Sequence, residues 1–403
     1  MSIKIYYYIF FLLIFMSCRA ENENNIARAE HIFNDVIPLY ATGQHSLFSE
    51  FYNNGGKEND FNNDTNKTTS SQKVAYLWPV SGTFAGVNAL LKSTGDKKYL
   101  NYINNNLLPC IDNYYDSIRF PDSYQSYIIS AGLSDRYYDD NVWLALDFID
   151  FYQLSGDKKY LDKATNIWKF VMSGWSTEFG GGIYWCEQNK QTKNACSNAP
   201  TVVMALKMYA ITHDIQYLER GKLIYNWTKS TLQDPADFLY FDRISRTGKI
   251  DPTKFADNSG QMLQAACLLF KATKDEIYLN DAHRIAASSI LYFTKDFVTP
   301  EGQTIKLFHK TANWFVAVLF RGYAELYSID KNNTYLLIFR DNLNNAWLHA
   351  QTSNGFFTSD WSGYDADNNN MWLLNQSGMM ELYASLGSLL KKTPQAPKGG
   401  VNY

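Results

Sequence analysis

A short turn sequence recurs along the chain at nearly constant intervals, and it constrains the fold more than any other feature. Residues 93–100 read STGDKKYL, and residues 154–161 read LSGDKKYL. Weaker copies follow, and the aspartates of the five copies lie 61, 57, 61 and 55 residues apart: Asp96, Asp157, Asp214, Asp275 and Asp330. A repeat of this length is one supersecondary unit that buries its apolar face against the next copy.

Each copy separates two segments with helical periodicity, because glycine is suited to end a helix and aspartate to start one. The sequence predicts five helical hairpins: 81–93 with 97–113, 140–154 with 158–172, 197–211 with 215–230, 258–272 with 276–293, and 311–328 with 332–349. A helix near 26–41 precedes them and one near 372–390 follows, and these two would pair as a sixth hairpin. Twelve helices predict an all-α (α/α)6 toroid of six hairpins.

The two helices of each hairpin differ in polarity. The first is apolar around most of its circumference, as in 201–206 (TVVMAL), whereas the second carries charges on one face, as in 158–163. An evenly apolar helix is buried, so the first helices should form the inner ring. The long connections, near 110–139, 172–197, 230–257, 293–311 and 350–372, then share one rim, and loops of that length usually have a function.

The N-terminal residues resemble an export signal. Residues 1–17 combine a lysine with an apolar segment too short to span a bilayer, and Cys18 follows a small residue, as in a bacterial lipobox. We therefore expect a signal peptide at 1–17, a lipidated Cys18, a tether at 18–25, the catalytic domain at 26–392 and a tail at 393–403. The alternative is an ordinary signal peptide with an incidental cysteine. Both interpretations predict export. If Cys18 is lipidated, the protein should be anchored at a bacterial cell envelope, on the periplasmic side or the outer surface.

Composition excludes several partners and favours a sugar. A net charge of −3 gives no basic patch for nucleic acid, so contact with a membrane should occur only through the lipid anchor. No metal-binding motif is visible, no cofactor is expected, and the chain is predicted to be monomeric. Aromatic residues make up 16% of the chain, and their rings and polar groups suit polysaccharides. The sequence does not decide whether Cys186 and Cys196 form a disulfide. It also does not decide whether the oxygen-rich tract 365–370 binds calcium.

The only adjacent aspartates, Asp139 and Asp140, are placed where a long connection enters an inner helix. Retaining glycosidases need two carboxyl groups roughly 5–5.5 Å apart, one as nucleophile and one as acid/base. Helix N-terminal amides would keep one aspartate ionised, and repulsion between like charges would keep its neighbour protonated. The alternative is a solvated loop pair or a helix N-cap.

Other polar and aromatic residues cluster at the same predicted entrances. Trp185 follows three consecutive glycines, although it is equally suited to a core position, and the segment 257–261 is also explained by plain N-capping. The candidate substrate-binding residues are Tyr138, Asn141, Trp185, Asn194, Asn198, Asn258, Gln261 and Trp361.

The motifs 138–141 (YDDN), 180–185 (GGGIYW) and 193–198 (KNACSN), in this order and spacing, resemble glycoside hydrolase family 76. The resemblance implies an (α/α)6 enzyme that cleaves α-1,6-linked mannose chains of fungal cell-wall mannan, endo-acting and with retention. It implies Asp139 as nucleophile and Asp140 as acid/base. The segment 257–261 (DNSGQ) departs from the family, which often reads closer to Tyr-Asn-Gln-Gly. A glycan-binding lipoprotein of this fold, and a toroidal glycosidase for another polysaccharide, stay as alternatives.

Overall fold

A computed structural model describes residues 24–43, 46–53, 74–364 and 370–390. The predicted signal peptide, Cys18 and the tail lie outside these residues, as does most of the tract 365–370. The last two residues of the predicted tether, Asn24 and Asn25, already belong to the first helix. No helix in the described ranges is both long enough and apolar enough to cross a membrane.

The described residues form twelve helices, as predicted. Helix α1 covers 24–31 and continues through a π-helical turn, Ile32–Val36, and a 3-10 turn, Ile37–Tyr40. Helix α3 joins Lys97–Tyr102, the π-helical turn Ile103–Leu107 and Leu108–Asp112. The others are α2 Leu77–Thr94, α4 Tyr138–Ser155, α5 Lys158–Ser173, α6 Ala195–Thr212, α7 Ile215–Leu232, α8 Ala256–Thr273, α9 Glu276–Phe293, α10 Asn313–Asp330, α11 Thr334–His349 and α12 Leu373–Leu390.

Six of the helices close an inner ring. Helices α2, α4, α6, α8, α10 and α12 each pack against the next, and α12 packs back against α2. Most side chains of these helices are buried, whereas α5 is buried on one face only. Helix α1 packs on α12, so the two terminal helices complete the sixth hairpin. The predicted (α/α)6 toroid is therefore confirmed, and its core lies within and between the two rings.

The repeated turn is explained by local capping. Gly95 and Gly156 take left-handed backbone conformations after α2 and α4, and each following aspartate caps the next helix. Asp96 accepts a hydrogen bond from the Lys98 amide at 2.8 Å, and Asp157, Asp214 and Asp275 repeat this contact. The fifth copy differs because α11 begins after Asn333, which makes no side-chain cap.

Inner helices meet most closely at glycines. A Cβ atom added to Gly260 in α8 would lie 2.4 Å from the Cα of Leu319 in α10. A Cβ added to Gly322 in α10 would lie 2.5 Å from the carbonyl oxygen of Gly260. Helices α8 and α10 are therefore in backbone contact, which leaves no space for a side chain at either position.

The long connections carry short antiparallel strands that the helical periodicity did not predict. Strands β2 (Tyr115–Asp116) and β3 (Ser123–Tyr124) form one pair, β4 (Thr192–Asn194), β5 (Phe241–Ser245) and β6 (Ile250–Lys254) form a sheet, and β7 (Thr294–Val298) pairs with β8 (Thr304–Phe308). Strand β1 (Phe51–Asn53) pairs with β9 (Asn370–Trp372), with Phe51 opposite Trp372. These strands fix the rim at which the inner helices begin.

Candidate active site

Asp139 and Asp140 lie in the first turn of α4, on the rim that carries the long connections. The N-cap residue is Tyr137, which makes no side-chain cap, so neither aspartate caps the helix. Both residues are half-buried, and the Asp140 amide donates a hydrogen bond of 3.1 Å to Oδ1 of Asp139. Backbone amides of the first turn therefore contact Asp139, the aspartate expected to be ionised.

Trp185 from the next connection and Cys196 from the first turn of α6 hold the Asp139 carboxylate. Trp185 donates its indole N–H to Oδ2 at 2.9 Å, and the Cys196 thiol donates to the same oxygen at 3.2 Å. The Trp185 side chain is 38% exposed, so it is not a core residue. Its ring also contacts Tyr137, at 4.7 Å between centroids. One oxygen of Asp139 is thereby fixed, while the tryptophan leaves part of its surface open at the rim.

The two carboxyl groups differ in acidity. Burial raises the pKa of Asp139, but hydrogen bonds from Cys196, Trp185 and backbone amides oppose this effect. Burial raises the pKa of Asp140 well above its ordinary value, and the negative charges of Asp139 and Glu50 raise it further. Asp140 is therefore the group that keeps its proton when Asp139 is ionised.

Glu50, which the sequence did not single out, is an acidic neighbour of the pair. It accepts hydrogen bonds from the Tyr76 amide at 2.7 Å and from the Trp372 indole at 2.6 Å. Burial raises the pKa of Glu50 to about 7. No local motif marks this glutamate, because its partners Tyr76 and Trp372 lie 26 and 322 residues away in the sequence.

Four of the predicted binding residues lie in the packing beneath the rim. The Tyr138 ring is buried and stacks on Phe170, with 4.8 Å between centroids. Asn141 and Asn198 are fully buried and make their hydrogen bonds to neighbouring backbone groups and to Ser123. Trp361 is also buried, and its indole N–H donates to Asn313. The structure therefore gives these side chains a role in shaping the rim.

The other three predicted residues have buried amide oxygens without a partner among the described residues. These are Oδ1 of Asn194, Oδ1 of Asn258 and Oε1 of Gln261. Buried acceptors without a donor are costly in a protein interior. All three lie at the start of α6 or α8, on the rim that carries Asp139 and Asp140.

Two further acidic residues lie near Asp139. Asp242 stands on β5 and Asp257 in the first turn of α8, and the charges of both interact with that of Asp139. Burial raises the pKa of Asp242 to about 6 and that of Asp257 to about 7. The sequence analysis singled out neither carboxyl group as part of the site. They lie on different elements, β5 and α8, and come near Asp139 only in the folded protein.

The three-glycine segment serves packing. Gly180, Gly181 and Gly182 all have positive φ, and a Cβ at Gly182 would lie 2.6 Å from the Trp227 ring. The buried Lys193 donates to the carbonyl oxygens of Ser176, Glu178 and Gly181 at 2.6–3.0 Å. This segment therefore forms a turn held by packing and hydrogen bonds, and it leads directly to Trp185.

The thiols of Cys186 and Cys196 are free, so the disulfide left open by the sequence is not formed. Within the described ranges, no group of three or more His, Cys, Asp or Glu side chains is arranged to hold a metal ion.

Arg136 clamps the connection that precedes Asp139. Its guanidinium is fully buried, binds Glu187 through two hydrogen bonds of 2.7 and 2.6 Å, and lies 3.4 Å from Asp116. We expect Arg136→Met to destabilise the protein by about 3 kcal/mol or more, because Glu187 loses both hydrogen bonds from the guanidinium and the buried Asp116 keeps only Arg119 as a charged partner. Thermal unfolding of the variant checks this, with Arg340→Met, which removes a partly exposed arginine from α11, as the control. Equal unfolding midpoints for the two variants would contradict it.

A closed double ring of helices with two adjacent carboxyl groups of unequal pKa in its rim defines a toroidal protein equipped for acid–base chemistry. The family model of glycosyl hydrolase family 76 matches residues 41–301, and the chain belongs to this family. The resemblance found in the sequence is thereby confirmed.

Solved structures agree in fold. A family 76 glycoside hydrolase from a bovine Bacteroides thetaiotaomicron strain is 31% identical, with a TM-score of 0.81 over 90% of this chain and 77% of its own. The family 76 mannosidase Bt3792 of Bacteroides thetaiotaomicron is 28% identical, with a TM-score of 0.82 over 92% of this chain and all of its own. An inactive variant of the α-1,6-mannanase GH76A of Salegentibacter, in complex with α-1,6-mannotriose, is 25% identical, with a TM-score of 0.71 over 91% of this chain and 99% of its own.

A curated relative in Schizosaccharomyces pombe, whose name assigns it a mannan endo-1,6-α-mannosidase activity, is 21% identical over 234 residues. The match covers 56% of this chain and 52% of the relative, so this chain spans about half of the relative's length.

Proposed function

We propose that this protein hydrolyses α-1,6-mannosidic bonds within mannan chains, such as those of fungal cell walls, with retention of configuration. The observation that carries the proposal is the unequal environment of the pair. Asp139 is held by Trp185 and Cys196, whereas Asp140 carries the higher pKa beside a like charge. The mannosidase and mannanase relatives support the choice of sugar.

In the proposed first step, an oxygen of Asp139 attacks the anomeric carbon of a mannosyl unit. The bond between that carbon and the glycosidic oxygen breaks, and Asp140 transfers its proton to the leaving oxygen. The indole and the thiol both bind Oδ2, so the attack falls to Oδ1, which accepts a hydrogen bond from the Asp140 amide. The product is a mannosyl ester of Asp139 and a shortened mannan chain.

In the second step, the ionised Asp140 removes a proton from a water molecule, which attacks the same anomeric carbon. The ester bond to Asp139 breaks, the mannosyl unit leaves with its original configuration, and Asp140 is protonated again. One turnover consumes one water molecule. The two displacements on opposite faces of the ring restore the α anomer.

Product analysis on linear α-1,6-mannan tests the proposal. We expect a ladder of oligosaccharides from internal cleavage, and NMR spectra of early products should show the α anomer first. An initial β anomer would exclude retention. Binding of mannan without any shorter product would instead identify a glycan-binding protein, and cleavage of another polysaccharide alone would identify a different glycosidase.

We further propose that the protein is exported and held at a bacterial cell envelope by a lipid on Cys18, and that it acts as a monomer. The sequence 14–18 (IFMSC) supports the anchor. Labelled palmitate should enter the wild-type protein and not the Cys18→Ala variant. Equal labelling of both proteins would refute the anchor.

The pH dependence of kcat/KM should be bell-shaped, with both limbs above the ordinary range of carboxyl groups. Activity falls as pH drops through the raised pKa of Asp139, because the nucleophile must be ionised. Activity also falls as pH rises through the strongly raised pKa of Asp140, because the acid must be protonated. Profiles on α-1,6-mannan from pH 4 to 10 check this.

Glu50→Gln should move only the alkaline limb. It removes a negative charge that raises the pKa of Asp140, so this limb should move to lower pH. The acid limb serves as the internal control. Because one of the two donors to Glu50 would then face the glutamine NH2 group, the unfolding temperature is measured alongside. An unchanged alkaline limb would contradict the prediction.

A further inference from the structure

We propose that Asp257 is a substrate-binding residue that accepts hydrogen bonds from hydroxyl groups of the mannosyl unit bound beside Asp139. This inference rests on the proposed function and assigns a specific contact to it. Asp257 lies at a position where the chain departs from the family pattern, and the sequence alone explained it as a helix cap.

Asp257 does not occupy the N-cap position of α8, although the backbone amides of Asp257 and Asn258 interact with its carboxyl group. The N-cap of α8 is Phe255, and Asp257 is the second residue of the helix. Its side chain is only 4% exposed, yet its Oδ1 atom has no hydrogen-bond partner among the described residues. Burying a carboxyl oxygen without a donor destabilises a protein. Such an oxygen at the start of an inner helix is accounted for if a ligand supplies the donor.

Its position is on the nucleophile side of the site. The thiol of Cys196, which contacts Asp139 at 3.2 Å, is close enough to Asp139, Asp242 and Asp257 for all three charges to act on it. Asp257 also interacts directly with the charge of Asp139. Asp257 and Asp139 therefore lie on the same part of the rim, close enough for their charges to interact.

The surroundings of Asp257 suit an uncharged ligand rich in hydroxyl groups. Asn258 and Gln261 follow on the same helix, Ser197 begins the neighbouring inner helix, and each has a buried oxygen without a partner. A sugar offers several O–H donors at short spacing, and the serine hydroxyl can donate in return. A cation is disfavoured, because no group of three metal-ligating side chains occurs within the described ranges.

The two roles of Asp257 predict opposite effects on stability. If the carboxylate serves a ligand, the free protein carries an unsatisfied buried group, and Asp257→Asn should keep or raise the unfolding temperature. If the carboxylate supports the fold, the same change should lower that temperature. Asparagine has nearly the same shape, so packing is conserved in the comparison.

The experiment measures binding of α-1,6-mannotriose by calorimetry in the full chain carrying Asp139→Asn, which prevents turnover. Adding Asp257→Asn or Asp257→Ala should weaken binding at least about 10-fold, corresponding to about 1.4 kcal/mol. The unfolding temperature of the unliganded Asp257→Asn protein should be equal or higher. The matched control is Asp251→Asn, which changes a partly exposed aspartate on β6 bonded to Arg243 and should leave the affinity unchanged.

Equal affinity with and without Asp257 would overturn the inference and leave the proposed function standing. Weaker binding together with a lower unfolding temperature would assign Asp257 to the fold and also overturn it. Loss of binding on adding EDTA would identify a cation site instead. If the Asp139→Asn parent itself fails to bind mannotriose, the proposed function falls and the inference falls with it.

Discussion

Asp139→Asn and Asp140→Asn will both stop mannan hydrolysis, and an activated substrate will distinguish their roles. Without the nucleophile, we expect turnover to fall at least about 10⁴-fold for every substrate. Without the acid, we expect a loss of about 10²- to 10⁴-fold on mannan, whose leaving oxygen needs a proton. A mannoside with an acidic phenol as leaving group needs no such proton, so Asp140→Asn should still form the mannosyl ester and release a burst of phenol.

Azide provides the second readout for the same pair of variants. In Asp140→Asn it should attack the mannosyl ester and give α-mannosyl azide, because the ester holds the opposite face of the sugar. Asp139→Asn should give no α-mannosyl azide. Formation of this product by Asp139→Asn and not by Asp140→Asn would reverse the two assignments.

Both variants should remain folded. Burial raises the pKa of each aspartate, so the folded protein gains nothing from their negative charges. Asparagine has the same size, so the unfolding temperature of Asp140→Asn should be equal to or above that of the wild type. That of Asp139→Asn should be slightly lower, because its NH2 group would face a hydrogen-bond donor on either side. A large drop in either temperature would mean that the activity loss reports unfolding.

Gly260→Ala is expected to have the largest effect on stability, about 3 kcal/mol or more. The added Cβ would lie 2.4 Å from Cα and 2.9 Å from N of Leu319. These are backbone atoms of α10, so relief requires α8 and α10 to move apart. Since domains are stable by only about 5–15 kcal/mol, the variant should show a large drop in unfolding temperature and a low yield of folded protein.

Gly221→Ala is the matched control. Gly221 lies in the outer helix α7, and an added Cβ would meet Ala205 Cβ and Leu206 at no less than 3.4 Å. Alanine favours a helix over glycine by about 1 kcal/mol, so the variant should stay within about 1 kcal/mol of the wild type. Thermal unfolding of the two variants side by side checks the prediction. Equal midpoints would show that the inner ring can absorb a methyl group.

The fold was largely predictable because its main signals are local. The repeated Gly-Asp turn contains both the end of one helix and the cap of the next, as at Gly95 and Asp96. Five such turns at a regular spacing predict five hairpins, each with an apolar first helix. A closed ring of hairpins buries all of these apolar helices. The position of Asp139 and Asp140 at an inner-helix entrance followed from the same pattern.

The strands of the long connections were missed for a physical reason. Strand β1 is stabilised by β9, more than 300 residues away, and neither has a local pattern that requires a strand. The same distance hides Glu50, whose carboxylate is held by Trp372 across 322 residues. Contacts of this kind exist only after the ring has closed.

The sequence by itself determined the helical toroid, the family and the carboxylate pair, because helix caps, apolar periodicity and motif order are all readable along the chain. Only the tertiary structure decided which side chains serve chemistry and which serve packing. Tyr138 and Trp185 are both aromatic residues beside the pair, yet one is buried against Phe170 and the other holds Asp139. That difference depends on what each side chain meets after folding, because burial and hydrogen bonding are properties of the assembled rim.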